Sequence, residues 1–226
     1  MPPAPEAALI CAAIPAAQTI LELGAGAGRM TRPLRAAGHR VVAVDESAEM
    51  LARIRGAETV RSRIEHLRLD ECFGVVLLAS HLVNAPDPRT CKALLDACAR
   101  HVRDDGCVLV ERHPPAWFDD VRPGATTARG LTMTLRDVGR PAPALVTATI
   151  EYRLDERTWT QRFTARRVDD DELVRALAAA GLRLAGFLDG PRAWARAGPL
   201  RPRPRRRSPR AATAARPPGS SGSPRG

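Results

Sequence analysis

The stretch Ile20-Leu21-Glu22-Leu23-Gly24-Ala25-Gly26-Ala27-Gly28-Arg29 decides how this chain is read. A short apolar run from Gln18 to Leu23 has the look of a strand, and it closes on three glycines alternating with alanines. Glycine tolerates φ > 0, and without a Cβ it lets a ligand rest on the main chain. A helix is expected to follow from about Arg29 to Ala37. Pro33 fits only near its first turn, and Gly38 stops it. The free N–H groups opening such a helix suit a carboxylate or phosphate. A dinucleotide turn spaced G-x-G-x-x-G would need a third glycine at position 29, where a long arginine stands. Here the third glycine is Gly28, and an acid, Glu22, lies two residues before the first. That carboxylate repels a pyrophosphate but accepts hydrogen bonds from an amino acid's ammonium or its bound water. The ligand implied is zwitterionic.

Working outward, His39 to Val44 reads as a second strand running into Asp45 at the same edge as the glycine turn. A carboxylate there can accept both hydroxyls of a ribose and disfavours a 2′-phosphate. Ser47 is an N-cap for a helix to Arg55, on which Met50 can lie flat against a purine. Val60 to Leu69 is a weaker extended segment. Phe73 to Ala79 is continuously apolar, as a strand covered on both faces is. Arg89 to Val102 has helical spacing, and Gly106 to Glu111 is another buried strand. Strands alternating with helices in this way predict an open parallel α/β sheet. After Pro115 the texture changes: Leu131 to Val138, Leu145 to Leu154 and Thr158 to Val168 alternate like long antiparallel strands. Asp169-Asp170-Asp171 caps a helix from about Glu172 to Ala180, with its acids where the helix dipole favours them. Leu182 to Leu188 and Ala193 to Ala197 are the last strands expected.

The formal net charge of +10 arises from 35 basic and 25 acidic residues. Eight arginines and no acids lie between Gly198 and Gly226, so the body holds 27 basic against 25 acidic residues. With 34 arginines to one lysine, the charge is poor evidence for nucleic-acid binding. The tail has seven prolines, four glycines and almost no apolar bulk, and is expected to be disordered. A hydrophobic content of 44% supports a packed core. No run of about 18 apolar residues marks a membrane span. The Ala-rich start lacks a basic n-region and carries Glu6, so it does not read as a signal peptide. Five cysteines without a C-x-x-C pair suit reduced thiols, and a cytoplasmic location is expected.

The glycine turn, Asp45 and Phe73-Gly74-Val75-Val76-Leu77-Leu78-Ala79-Ser80-His81-Leu82-Val83-Asn84 resemble the class I S-adenosylmethionine-dependent methyltransferases, in particular small-molecule enzymes of the general methyltransferase-domain type. The resemblance covers about Thr19 to Ala197. It implies a Rossmann-like, doubly wound, mostly parallel sheet over residues 1–197, with an antiparallel substrate lid inserted at about 116–168 and a tail at 198–226. By this resemblance Glu22, Gly24, Gly26 and Gly28 hold the methionine end of S-adenosylmethionine, and Asp45 the ribose. Met50 and Ile64 flank the adenine, and Ala79 offers its backbone near the cofactor amine. Departures are visible too. Arg63 stands near the place where relatives often have an adenine-binding acid, with Glu65 two residues on. Only 18 residues precede Thr19, so the helical cover over the cofactor is expected to be short or missing.

Methyl transfer from a sulfonium requires chiefly alignment of the nucleophile about 3 Å from the methyl and exclusion of water. A general base is optional for an amine and matters more for a hydroxyl. Candidates lie after the fourth and fifth strands. His113 and His81 are candidate bases, and Asn84, Arg112, Trp117 and Tyr152 candidate substrate residues, with Trp159 and Phe163 as further pocket walls. Arg112 could equally pair with Glu111. The Asn-Pro-Pro-Tyr-like tetrad and Pro-Cys pair of nucleic-acid base enzymes are absent. So are paired carboxylates of catechol type, and no metal is expected. The expected activity is methyl transfer to an N or O atom of a small-molecule metabolite. Open alternatives are a non-catalytic binding protein on the same fold, or an RNA-directed protein using the basic tail.

Overall fold

The computed structural model describes residues 5–128 and 130–200. Helix α1 (Pro5–Ala13) leads into β1 (Thr19–Leu23), α2 (Thr31–Ala36) and β2 (Arg40–Asp45). Next come α3 (Ala48–Leu51), β3 (Glu58–Arg61), a 3-10 turn at Ile64–His66, and β4 (Phe73–Leu78). A second 3-10 turn at Leu82–Asn84 precedes α4 (Pro88–His101) and β5 (Val102–Glu111). Then follow α5 (Pro115–Asp120), β6 (Gly124–Ala128), β7 (Leu131–Ala142), β8 (Leu145–Leu154) and β9 (Arg157–Arg166). The described chain closes with α6 (Asp170–Ala179), β10 (Leu182–Phe187) and β11 (Trp194–Pro199).

Seven strands form one sheet in the order β10-β11-β5-β4-β1-β2-β3. Its five N-terminal strands are parallel, whereas β11 runs antiparallel between β5 and β10. Every residue of β4 is buried, as a central strand with helices on both faces requires. Successive side chains point to opposite faces. Leu21, Leu23, Val42, Val44, Val76 and Leu78 therefore join one core with residues of α4 and α6. Ile20, Val41, Val75 and Leu77 join another with Ile10 of α1 and Leu34 of α2. The doubly wound sheet expected from the strand–helix alternation is thus present.

The remaining strands form a separate antiparallel sheet, β6-β7-β8-β9. At its base Val146 and Ala165 pack with Phe118 of α5, against which Trp117, Val121 and Phe163 also lean. This is the expected insertion, with register pairs such as Ala148 with Phe163 and Tyr152 with Trp159.

Several local expectations are corrected. At the N-terminus a short helix, α1, forms, and its Ala7 and Ile10 are buried in the core beside α2. The helix predicted to Arg55 stops at Leu51, although Ser47 caps it by accepting from the Met50 N–H. Val60 to Leu69 divides into the end of β3 and a 3-10 turn. The short α5 and the edge strand β6 had no predicted counterpart, being too short or too polar for a period to register. The last strand takes in Gly198 and Pro199, which pair with Arg183 and Leu182, so the folded body extends past Ala197. Residues 201–226, the rest of the predicted tail, lie outside the described residues. Among the described residues no helix is long and apolar enough to cross a membrane.

Candidate active site

In an open parallel sheet, ligands bind beyond the carboxyl ends of the strands. β1 and β2 deliver Glu22 and Asp45 to that edge. Gly24, Gly26 and Gly28 all have positive φ, at +73°, +54° and +83°. The turn is held by the Gly24 and Ala25 N–H groups, both donating to the Val44 carbonyl at 2.9 Å. A side chain at Gly24 would strike Leu82 Cδ1 at 2.6 Å, with Ile64 Cδ1 at 3.8 Å. One at Gly28 would meet Ile54 Cγ1 at 3.0 Å. At Gly26 the same space is open, with nothing within 4 Å.

Asp45 turns back over this loop. Its Oδ2 accepts the Gly26 N–H at 2.8 Å and its Oδ1 the Ser47 N–H at 2.9 Å. A carboxylate offers about four acceptor positions, so two remain for a diol. Glu22 is buried, and its Oε2 accepts the Thr31 hydroxyl at 2.5 Å. Burial pushes its carboxyl up to about 7, against the Thr31 hydrogen bond and the nearby Arg29 charge, which pull it down. Ile64 packs towards Gly24, Met50 is 43% exposed on α3, and Ala79 is buried directly after β4. Arg63 is exposed and pairs with Glu65 at 3.5 Å.

The loops after β4 and β5 meet beside this edge. Ser80 and His81 both hold positive φ, at +59° and +57°. A pair of non-glycine residues in that region is strained. Their turn is clamped by Glu111, the last residue of β5, whose Oε2 accepts the Ser80 N–H at 2.6 Å. The His81 ring stacks on His113 with centroids 3.8 Å apart, and His113 stacks on Trp117 at 4.0 Å. Phe118 meets His113 edge-on at 6.1 Å, and Phe163 lies beyond at 6.4 Å. Burial, reinforced by His81, pushes His113 down to about 3. Burial also lowers His81, outweighing the pull of Glu111. Both rings are therefore neutral near pH 7. His113 is thus held between the His81 and Trp117 rings.

Two predicted substrate residues make hydrogen bonds within the fold. Asn84 is buried, with its Oδ1 accepting the His113 N–H at 2.8 Å and its Nδ2 donating to the Arg166 carbonyl at 2.9 Å. It ties the loop after β5 to the lid. The Arg112 side chain is 0% exposed. It donates to the Arg192 and Val168 carbonyls and to Asp170, and lies over the Phe187 ring. Its carboxylate partner is Asp170, not Glu111. Trp117 stays in the ring column. Tyr152 stacks on Trp159 at 5.5 Å on the lid, with Trp159 47% exposed.

Sequence reading passed over Glu111, Arg29 and Leu82 as site residues. Arg29, directly after the glycine loop, places Nη2 3.7 Å from Glu111 and Nη1 3.7 Å from Glu6 of α1. Glu111 had a usable signal, since it ends an apolar strand as Asp45 does. Arg29 and Leu82 had none, because their neighbours are distant in the chain.

Residues 20–106 match the protein family described as a methyltransferase domain. A cypemycin N-terminal methyltransferase of a Streptomyces species is 33% identical over 141 residues, 59% of this chain and 55% of that protein. The chain thus spans just over half the length of that relative. Among solved structures, the amino pentose methyltransferase CalS10 of Micromonospora echinaspora, with S-adenosylmethionine bound, is similar at a TM-score of 0.70 and 22% identity. That match covers 85% of this chain and 89% of that one. DesVI of Streptomyces venezuelae gives a TM-score of 0.69 at 21% identity, covering 86% and 90%.

Proposed function

Because the chain has the fold of the class I S-adenosylmethionine-dependent methyltransferases, with a methyltransferase domain at residues 20–106, we propose that it is such an enzyme. Its acceptor is the nitrogen of a small-molecule or peptide-like metabolite. The observation that carries this reading is the hydrogen bond from the Gly26 N–H to Asp45 Oδ2. It draws the acid at the end of β2 onto a glycine loop whose central face is open.

The residues fit the cofactor. Glu22 and the three glycines form a cradle of bare main chain with one buried acid, suited to an amino-acid arm that carries an ammonium. Asp45 keeps two acceptor positions for the ribose hydroxyls. Met50 and Ile64 offer apolar surface for the adenine, and Ala79 a backbone near the amine. The cofactor supplies a methyl group on positively charged sulfur, already activated for displacement. The chain's own task is to fix the acceptor and keep water out. The Trp117–His113–His81 column and the Tyr152–Trp159 pair are apolar or neutral surfaces for this, and Trp159 shares the face of β9 that carries Phe163 towards the column. Choice of nitrogen over oxygen rests on the chemistry printed for the relatives, an N-terminal and an amino-sugar methyltransferase.

Titrating S-adenosylmethionine by calorimetry, followed by incubation of labelled methyl donor with amine metabolites and short peptides bearing a free N-terminus, tests the proposal. Saturable heat and label on nitrogen are expected. Failure of the cofactor to bind refutes it.

A further inference from the structure

Glu111 is left unexplained by cofactor binding. Its side chain is 8% exposed, yet among the described residues its one hydrogen bond is the Ser80 N–H on Oε2. The cations facing it stand off. Arg29 is 3.7 Å from Oε2, half-exposed and shared with Glu6 of α1, and His81 Nε2 is 3.9 Å from Oε1. Oε1 thus has no protein donor at hydrogen-bond distance among the described residues and keeps contact with solvent, so it is open to an incoming donor. Beside it, His81 Nδ1 is buried without a well-formed hydrogen bond, the ring interacting with the Arg112 main chain. The His81 ring, with Nε2 at 3.9 Å, stands too far from Oε1 to hydrogen-bond it, and His113 and Trp117 lie beyond it in the column. Because Arg29 follows Gly28 directly, Glu111 stands at the glycine-loop edge, where the acceptor must come.

We propose that Glu111 is the acceptor-binding carboxylate, receiving the incoming amine on Oε1 as its ammonium while the His81–His113–Trp117 column packs against the carbon that bears it; that proton passes to water before the nitrogen lone pair meets the methyl. This deepens the methyltransferase reading and rests on it. A buried, under-bonded carboxylate favours a compact cation strongly, because charge-assisted hydrogen bonds formed away from water are the strong ones. Aromatic faces next to it add cation–π attraction. A neutral hydroxyl supplies one donor and no charge, so the site discriminates amines from alcohols of equal size. Arg29, half in solvent, is the cation the ligand displaces.

Benzylamine and its neutral counterpart benzyl alcohol serve as probes, followed by NMR through the Trp117 indole and the His81 and His113 ring signals, with no cofactor present. Benzylamine should shift these signals near pH 7 and bind at least tenfold more tightly than the alcohol. Glu111→Gln keeps an oxygen to accept the Ser80 N–H and should weaken benzylamine at least tenfold, leaving the alcohol unchanged. Glu111→Asp, which keeps the charge on a shorter arm, should fall between them and guards against a folding defect in the glutamine variant. Equal binding of amine and alcohol, full affinity in Glu111→Gln, or no shift by benzylamine in the unaltered chain would overturn the proposal. Calorimetry with S-adenosylmethionine on the same samples separates the two readings. Its failure in the unaltered chain sinks the methyltransferase assignment, whereas retained cofactor binding with no amine preference sinks only this one.

Discussion

Replacing Gly26 by alanine separates ligand space from backbone strain. Gly26 holds φ +54°, and a Cβ added there meets nothing within 4 Å. The methyl therefore collides with no protein atom, and the stability cost is the left-handed backbone alone, about 1–2 kcal/mol. For a chain of this size about 1 kcal/mol lowers Tm by roughly 2–4 °C, so a fall of roughly 2–8 °C is expected. Gly38 is the matched control, with φ +89° and equally open surroundings. It precedes β2, at the edge where the parallel strands begin. The six residues of β2, at about 3.3 Å each, put it roughly 20 Å from the glycine loop. Both variants should lose similar stability in a thermal scan. Only Gly26→Ala should lose cofactor, because its methyl fills space where a ligand must lie against the main chain. Calorimetric affinity for S-adenosylmethionine should fall at least tenfold, about 1.4 kcal/mol or more, while Gly38→Ala matches the unaltered chain. Equal affinity in the two variants would refute the placement of the cofactor on this loop.

Glu22 makes stability depend on pH. Its folded carboxyl titrates near 7 because of burial, against an ordinary value of 4.5. The folded chain thus keeps a proton that the unfolded chain gives up. Its contribution to stability therefore declines as pH rises from about 4.5 to about 7, and then levels off. Glu22→Gln should remove that decline, gaining on the unaltered chain by an amount on the order of 1 kcal/mol or more between about pH 5 and pH 8. Urea midpoints at the two values check this, and an unchanged gap contradicts it. Asn84→Ala should cost about 2–5 kcal/mol, since it strands the buried His113 N–H and Arg166 carbonyl together. A loss below about 0.5 kcal/mol in urea unfolding would show that neither bond matters to the lid.

How far the sequence could be read depends on the distance over which each signal acts. The strand–glycine–helix unit and the acid closing β2 were legible because they are local. The alternation of Leu131 to Leu154 announced the lid sheet for the same reason, since a half-buried strand writes period 2 into its own residues. Helix α1 was not legible: Pro5–Ala13 is apolar almost all round, and only its fit against α2 and β1 makes it a helix with an inner face. Arg112 illustrates the limit most clearly. From sequence it was a loop cation beside Glu111, whereas the fold buries it against Val168, Asp170 and Phe187.

By itself, then, the chain determined a parallel sheet with a glycine turn and an acid beside it, because backbone freedom and hydrophobic period are properties of neighbouring residues. Tertiary structure alone decided which polar groups are spent on the fold and which are left over. Glu111, Ser80, His81, His113 and Arg29 are brought together from three separate segments. Whether a carboxylate there is satisfied depends on distances of 2.6 Å or 3.9 Å, and packing across the sheet, not spacing along the chain, sets them.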